Sequence, residues 1–162
     1  MTDLPDLVQP FAWLIGTWRG EGVGGYPTLA ADFRFGEELT FACPGKPVLT
    51  FTSRSWAVED GRPLSLQTGF WRPTSPTDLE VVLCLASGLV EVLYGRLVEG
   101  PSGVHVEVQS DVIARTATAK EVTIDKRMYA VRGGKLMYAQ EMAAAGIPDV
   151  HPHLSAALDR VE

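Results

Sequence analysis

The chain has 162 residues, of which 46% are hydrophobic and 21% charged, a composition that supports a packed core and excludes a disordered chain. Twenty acidic residues against 14 basic ones give a net charge of −6, which argues against nucleic acid and against an anionic membrane surface as partners. The longest apolar stretch, Val81 to Val90, is shorter than the about 20 residues of a membrane-spanning helix.

The sequence predicts one short helix followed by strands. The segment from Pro5 to Ile15 has an early proline and is followed by Gly16, as in a helix that Pro10 keeps short. Turn signals then recur at the spacing of an all-β chain. In chain order, the predicted strands cover Thr17–Gly25, Ala31–Ala42, Val48–Ala57, Ser65–Arg72, Glu80–Ala86, Leu89–Val98, Val104–Ile113, Lys120–Val131, Lys135–Ala143 and His153–Val161.

Several of these segments alternate between apolar and polar residues. The clearest case is Val104, Val106 and Val108, which alternate with more polar neighbours and therefore indicate a half-buried strand. Consecutive hairpins with a single short helix predict an all-β fold, an up-and-down antiparallel β-barrel of about ten strands. Closure of the barrel removes the sheet edges that would otherwise aggregate.

The remaining global features concern compartment and domain count. No Lys or Arg precedes Arg19, so a secretory signal is not expected, and two cysteines are too few for a disulfide framework. The sequence holds no repeat, low-complexity tract or linker. We therefore expect a cytoplasmic protein whose residues 1–162 form a single domain, with monomer and homodimer both left open.

His151 and His153 are the residues that most suggest chemistry. Their H-x-H spacing suits Zn²⁺ on a strand, but a third ligand is missing nearby. Pro152 between them predicts that the strand begins after it, with His151 at the rim and His153 inside the barrel. Such a histidine is either a hydrogen-bonded core residue or a proximal ligand for haem iron. Ser155 and Ala157 are predicted on the same face as His153. Because both side chains are small, they would either leave a cavity beside the histidine or form a tightly curved part of the barrel wall.

Several motifs in order resemble the nitrobindin family. The segment from Gly16 to Gly22 matches its G-x-W-x-G-x-G signature, although lipocalin-like barrels share part of that signature. The resemblance extends over nearly the whole chain. The further matching segments are Tyr26-Pro27-Thr28, Glu37-Glu38, Gly45-Lys46-Pro47, Asp60-Gly61-Arg62-Pro63-Leu64, Gly69-Phe70-Trp71-Arg72, Thr118-Ala119-Lys120-Glu121-Val122 and His153-Leu154-Ser155-Ala156-Ala157-Leu158-Asp159-Arg160.

This resemblance implies a ten-stranded barrel similar to fatty-acid-binding proteins, with one haem b per chain. It implies His153 as the iron ligand and as the catalytic residue. By the same positional match, Thr28 and Lys120 are candidate haem contacts, Lys120 as a partner for a propionate. Family members of this kind keep the haem ferric, bind nitric oxide and isomerise peroxynitrite to nitrate. The small-molecule partners expected are therefore haem, nitric oxide and peroxynitrite.

The chain departs from the family pattern at two places. Where relatives often have L-H-x-E-x-G-Y, this chain has Ser65 and Gln67 in place of the His and the Glu. The loop before His153 is one residue longer than usual, so His151 is a substitute ligand to test. A non-enzymatic carrier of haem, nitric oxide or a fatty-acid-like molecule remains the alternative function, and such a carrier is expected to place Arg or Tyr inside the barrel.

Overall fold

The structure is a computed structural model that describes residues 3–161. A short 3-10 helix, η1, is followed by ten strands. Their bounds are η1 Gln9–Leu14, β1 Gly16–Gly24, β2 Phe33–Ala42, β3 Leu49–Ala57, β4 Pro63–Pro73, β5 Asp78–Leu85, β6 Leu89–Gly100, β7 Gly103–Arg115, β8 Val122–Arg132, β9 Lys135–Ala144 and β10 Ile147–Arg160.

Each strand pairs antiparallel with the next, and β1 pairs with β10, so that the sheet closes on itself. The predicted ten-stranded up-and-down barrel is thereby confirmed. The alternation in β7 holds as well, because Val106 and Val108 are buried while Gln109 faces outward. Within residues 3–161, no helix is long and apolar enough to cross a membrane.

The 3-10 helix covers one end of the barrel, where β1 begins. It buries Phe11 and Leu14, and the indole of Trp18 donates a hydrogen bond of 2.9 Å to the carbonyl oxygen of Leu14. The guanidinium of Arg160 lies over the Trp18 ring, 4.3 Å from its centroid. The predicted short helix is present, but it covers only Gln9–Leu14 of the predicted segment and is of the 3-10 type, since Pro10 keeps it short.

The last strand begins six residues earlier than predicted and contains both histidines. Register shifts relative to β9 occur between Ile147 and His151 and between Pro152 and Leu154, so bulges accommodate the proline within the strand. The second shift also breaks the simple alternation after His153. Leu154, Ala156 and Leu158 form the inward series, and Ala156 and Leu158 are buried. The prediction that Ser155 and Ala157 share the face of His153 is therefore wrong.

Gly22 in β1 allows an unusually close approach of β1 to β10. A Cβ atom at this position would lie 2.4 Å from the backbone oxygen of Ser155 and 2.5 Å from the Phe35 ring. Real Cβ contacts are not found at these distances, so a side chain at this position would force the two strands apart. The glycine thus brings the first strand against the strand that carries His153.

Candidate functional site

A cavity of about 200 Å³ lies inside the barrel beside His153. Phe33 and Phe35 of β2 and Leu154 of β10 supply apolar surface. Polar side chains from six strands also reach it. They are Glu37, Ser55, Ser65, Gln67, Arg127, Tyr129, Tyr138, Gln140 and His153. The cavity is near the end of the barrel opposite to η1, since His153 lies beside Gly25, just after the end of β1.

His153 is half-buried, and its ring is held from two sides. Its Nδ1 lies 3.2 Å from the backbone carbonyl oxygen of Gly25, and its ring centroid lies 5.9 Å from that of Tyr26. A carbonyl oxygen only accepts hydrogen bonds, so Nδ1 must carry the proton and donate it. In the neutral ring, Nε2 is then the unprotonated nitrogen with a free lone pair. This is the form in which imidazole binds a metal.

Burial lowers the pKa of His153 below its ordinary value, and the neighbouring His151 lowers it further. The hydrogen bond with Gly25 acts in the opposite direction but does not reverse the shift. The ring is therefore neutral at pH 7, because even an unperturbed histidine has a pKa of about 6.5. Protonation state and tautomer thus agree in leaving Nε2 available as a ligand.

Behind the cavity lies a buried polar network centred on Arg127. Its Nε donates to Asp125 Oδ2 and its Nη1 donates to Gln67 Oε1, both at 2.9 Å, while its Nη2 lies 3.6 Å from Glu91 Oε2. The Gln140 amide nitrogen donates to the other oxygen of Asp125 at 2.9 Å. The guanidinium is therefore surrounded by acceptors that belong to the protein itself.

A second buried carboxyl group, Glu37, accepts hydrogen bonds from Tyr138 and from Ser53. Burial raises the pKa of Glu37 despite these bonds, and burial beside Asp125 raises the pKa of Glu91 to about 8. Glu91 therefore tends to hold a proton at neutral pH. Arg127 is the cation of this part of the interior, and Asp125 is its hydrogen-bonded carboxyl partner.

A larger cavity of about 570 Å³ adjoins the first, and Phe33 and Leu64 line both. Tyr26, Arg34 and Arg62 also line it. The smaller cavity alone is below the about 300–1,000 Å³ that is usual for ligand pockets, but the two together fall inside that range. The cationic side chains lie on the outer part of this volume, where Arg34 pairs with Glu21 and Arg62 with Asp60.

The other predicted site residues are not part of the cavity wall beside His153. Thr28 is exposed in the turn between β1 and β2, and Lys120 is exposed just before β8. Neither residue lines the cavity. His151 Nδ1 lies 3.1 Å from the carbonyl oxygen of Asp149 in its own strand, and His151 also lies outside the cavity. Within residues 3–161, no group of three or more His, Cys, Asp or Glu side chains is arranged to hold a metal ion.

Sequence reasoning missed several residues that shape this site. The Gly25 carbonyl and the Tyr26 ring were not identified, although both lie next to the predicted contact Thr28. Arg127 and its partner Asp125 were also missed, because charged residues stand on both faces of β8 and alternation cannot tell inside from outside, whereas Gln67 was noted only as a departure from the family motif. The one signal in the sequence was the family motif Tyr26-Pro27-Thr28, which contains the aromatic residue that packs against His153.

Comparison with known proteins places this geometry in context. Residues 7–160 match the family described as "THAP4-like, heme-binding beta-barrel domain". The "Ferric nitrobindin-like protein" of Kineococcus radiotolerans is 41% identical, and the match covers 99% of this chain and 96% of that protein. A "Peroxynitrite isomerase" of Frankia casuarinae is also 41% identical, covering 98% and 88% of the two chains.

Comparison of the three-dimensional structures gives the same result. The crystal structure of Rv2717c from M. tuberculosis superposes with a TM-score of 0.91 at 38% sequence identity, covering 99% of this chain and 100% of that one. Sequence and fold therefore agree over essentially the full barrel. The resemblance expected from the motifs is confirmed, and this chain belongs to the THAP4-like haem-binding β-barrel family, the family of the nitrobindin-like proteins and peroxynitrite isomerases.

Proposed function

We propose that this chain binds one haem b per molecule through His153, binds nitric oxide and isomerises peroxynitrite to nitrate. The observation that carries the proposal is the orientation of His153. Its Nδ1 donates to Gly25, so Nε2 is left as a free lone pair beside an internal cavity. The matched family and the names of the relatives support the same cofactor and reaction.

The residues around the two adjoining cavities fit a flat, amphipathic macrocycle. Phe33, Phe35 and Leu64 offer apolar faces, while Arg34 and Arg62 stand at the outer side with their charges exposed to solvent. Two propionate groups need cationic or hydrogen-bonding partners, and these arginines would supply them by exchanging their surface partners Glu21 and Asp60 for a propionate. Thr28 and Lys120 remain proposed contacts from the motif match.

In this proposal the protein binds, orients and shields. His153 would hold the iron. The carbonyl oxygen of Gly25 fixes the ring and increases its basicity by accepting a hydrogen bond from Nδ1. Phe33, Phe35 and Leu154 restrict water at the cavity. When bound, ferric haem would supply a Lewis-acidic iron, and conversion of peroxynitrite to nitrate is an isomerisation that needs no external electron donor.

The carrier alternative receives one supporting observation, since Arg127, Tyr129 and Tyr138 are all inside the barrel. A fatty-acid carrier needs such groups free to bind a carboxylate. Here Arg127 is engaged by Asp125 and Gln67, and Tyr138 donates to Glu37. The interior therefore already contains its own carboxyl partners, so a carrier of fatty acids is the weaker proposal.

Stopped-flow decay of peroxynitrite tests the enzymatic proposal. Hemin-loaded protein is compared with apoprotein, and His153→Ala protein mixed with hemin serves as the matched control. We expect faster decay and a shift of product toward nitrate only with the loaded wild-type protein. If the loaded protein gives no faster decay than the apoprotein, or diverts product to nitrite, the isomerase proposal is wrong and a haem or nitric oxide carrier remains.

A further inference from the structure

Gln67 lies across the cavity from His153. It belongs to β4, whereas His153 belongs to β10, and β1, β2 and β3 lie between those strands around the barrel wall. Both side chains line the same cavity, and Gln67 is partly buried. A small ligand in this cavity would therefore have His153 on one part of the wall and Gln67 on another.

Arg127 fixes the orientation of the Gln67 amide. Its Nη1 donates to Gln67 Oε1 at 2.9 Å, and the guanidinium is itself held by Asp125. A guanidinium has only donors, so the amide oxygen must face Arg127 and the NH₂ group must point away from it. The usual ambiguity between the two ends of a glutamine amide is thereby removed.

The NH₂ group of Gln67 has no protein acceptor within residues 3–161, in contrast to other polar groups on the same cavity. The amide nitrogen of Gln140 is used by Asp125, the Tyr138 hydroxyl by Glu37, and the Ser65 hydroxyl lies 2.6 Å from that of Ser55. Gln67 is only partly buried and its amide nitrogen is not a fully buried atom, so water can reach this donor. An acceptor atom of a ligand in the cavity would replace that water on an amide that Arg127 already orients.

We propose that Gln67 Nε2 donates a hydrogen bond to the small ligand held opposite His153, and so selects ligands with an anionic acceptor atom over those without one. This inference rests on the proposed haem site and adds the residue that discriminates between its ligands. The chemical class selected is a small anion such as peroxynitrite, with fluoride and azide as simple representatives. Arg127 acts here as a positioning residue, since it touches Gln67 and orients the amide.

Ligand titrations of the hemin-loaded protein test the proposal without measuring turnover. Fluoride binding to the ferric protein and carbon monoxide binding to the reduced protein are followed by absorbance. Gln67→Glu keeps an acceptor for Arg127 but loses the donor, and Gln67→Met loses both with little change in length. Because fluoride accepts a strong hydrogen bond and carbon monoxide a weak one, we expect fluoride to bind about 10- to 100-fold more weakly in both variants.

Carbon monoxide affinity should change less than about threefold in the same variants, since a hydrogen bond to that ligand contributes little. An equal loss for both ligands would show a general collapse of the cavity and overturn the inference. Unchanged fluoride affinity in a variant that still binds hemin would also overturn it. Failure of the wild-type protein to bind hemin would instead refute the proposed function, so the two failures are distinguishable.

Discussion

The Nδ1 atom of His153 lies 3.2 Å from the carbonyl oxygen of Gly25, a residue 128 positions earlier in the chain. The pairing of β1 with β10 brings these two residues together. Because the carbonyl oxygen can only accept a hydrogen bond, Nδ1 must carry the proton, and the contact sets the tautomer of the imidazole as well as its position. The binding capability of His153 thus depends on the first strand as much as on the last.

Replacing His153 by Ala should weaken hemin binding by at least about 100-fold, more than the 10- to 100-fold usual for loss of an outer-shell partner. His151→Ala is the matched control, because His151 is in the same strand but lies outside the cavity. Titration with hemin, followed at the Soret band, measures both. Loss of binding in the His151 variant alone would identify His151 as the ligand.

Hemin should raise the thermal stability of the wild-type protein, since the cavity exists only in the folded barrel. At free hemin about 100 times its Kd, mass action adds about 2.7 kcal/mol to the free energy of unfolding. For a domain of this size that corresponds to a rise of about 5–10 °C in Tm. Differential scanning calorimetry with His153→Ala as control checks this, and an equal rise in both proteins would indicate nonspecific binding.

Glu91 should make the apoprotein less stable as the pH rises from 5 to 8. Burial raises the pKa of this group from 4.5 to about 8, so the folded state holds a proton that the unfolded state has released. Its stabilising effect is complete below pH 4.5 and is lost as the pH passes 8, with a slope of up to about 1.4 kcal/mol per pH unit.

Urea unfolding at several pH values measures this slope in wild type and in Glu91→Gln. The variant should show a flatter dependence, because its amide does not titrate. Glu99→Gln, an exposed position on the same strand, serves as control and should follow the wild type. Identical slopes in wild type and Glu91→Gln would mean that Glu91 is ionised in the folded protein.

Gly22→Ala should destabilise the barrel by about 1–3 kcal/mol, the usual cost of forcing atoms into a filled space. The added Cβ would lie 2.4 Å from a backbone oxygen of β10, which has little freedom to move. Gly100→Ala is the control, since its Cβ would meet no atom closer than 4.0 Å. Chemical denaturation compares the two, and a loss below about 0.5 kcal/mol at Gly22 would show that the strands can separate freely.

The strand count and the inward position of His153 could be predicted because turn signals and motif order are local features of the chain, whereas the role of His153 as iron ligand stays a prediction. The start of β10 could not, since Pro152 normally marks a strand boundary and only the bulges beside β9 allow it inside one. The contact with Gly25 could not be predicted, because it is made by a backbone carbonyl oxygen and sequence patterns report only side chains. Arg127 was missed for the reason that β8 carries polar residues on both faces.

Barrel closure by β1 and β10 also imposes an order on biosynthesis. Of the ten strands, the ribosome releases β1 first and β10 last, so β1 can pair with its second neighbour only after the other nine strands have been made. Until His153 has emerged, the nascent polypeptide has neither the imidazole nor the contact that selects its tautomer. The proposed haem site is therefore completed only when the last strand has been made, and a truncated product that ends before β10 would leave the edges of β1 and β9 unpaired.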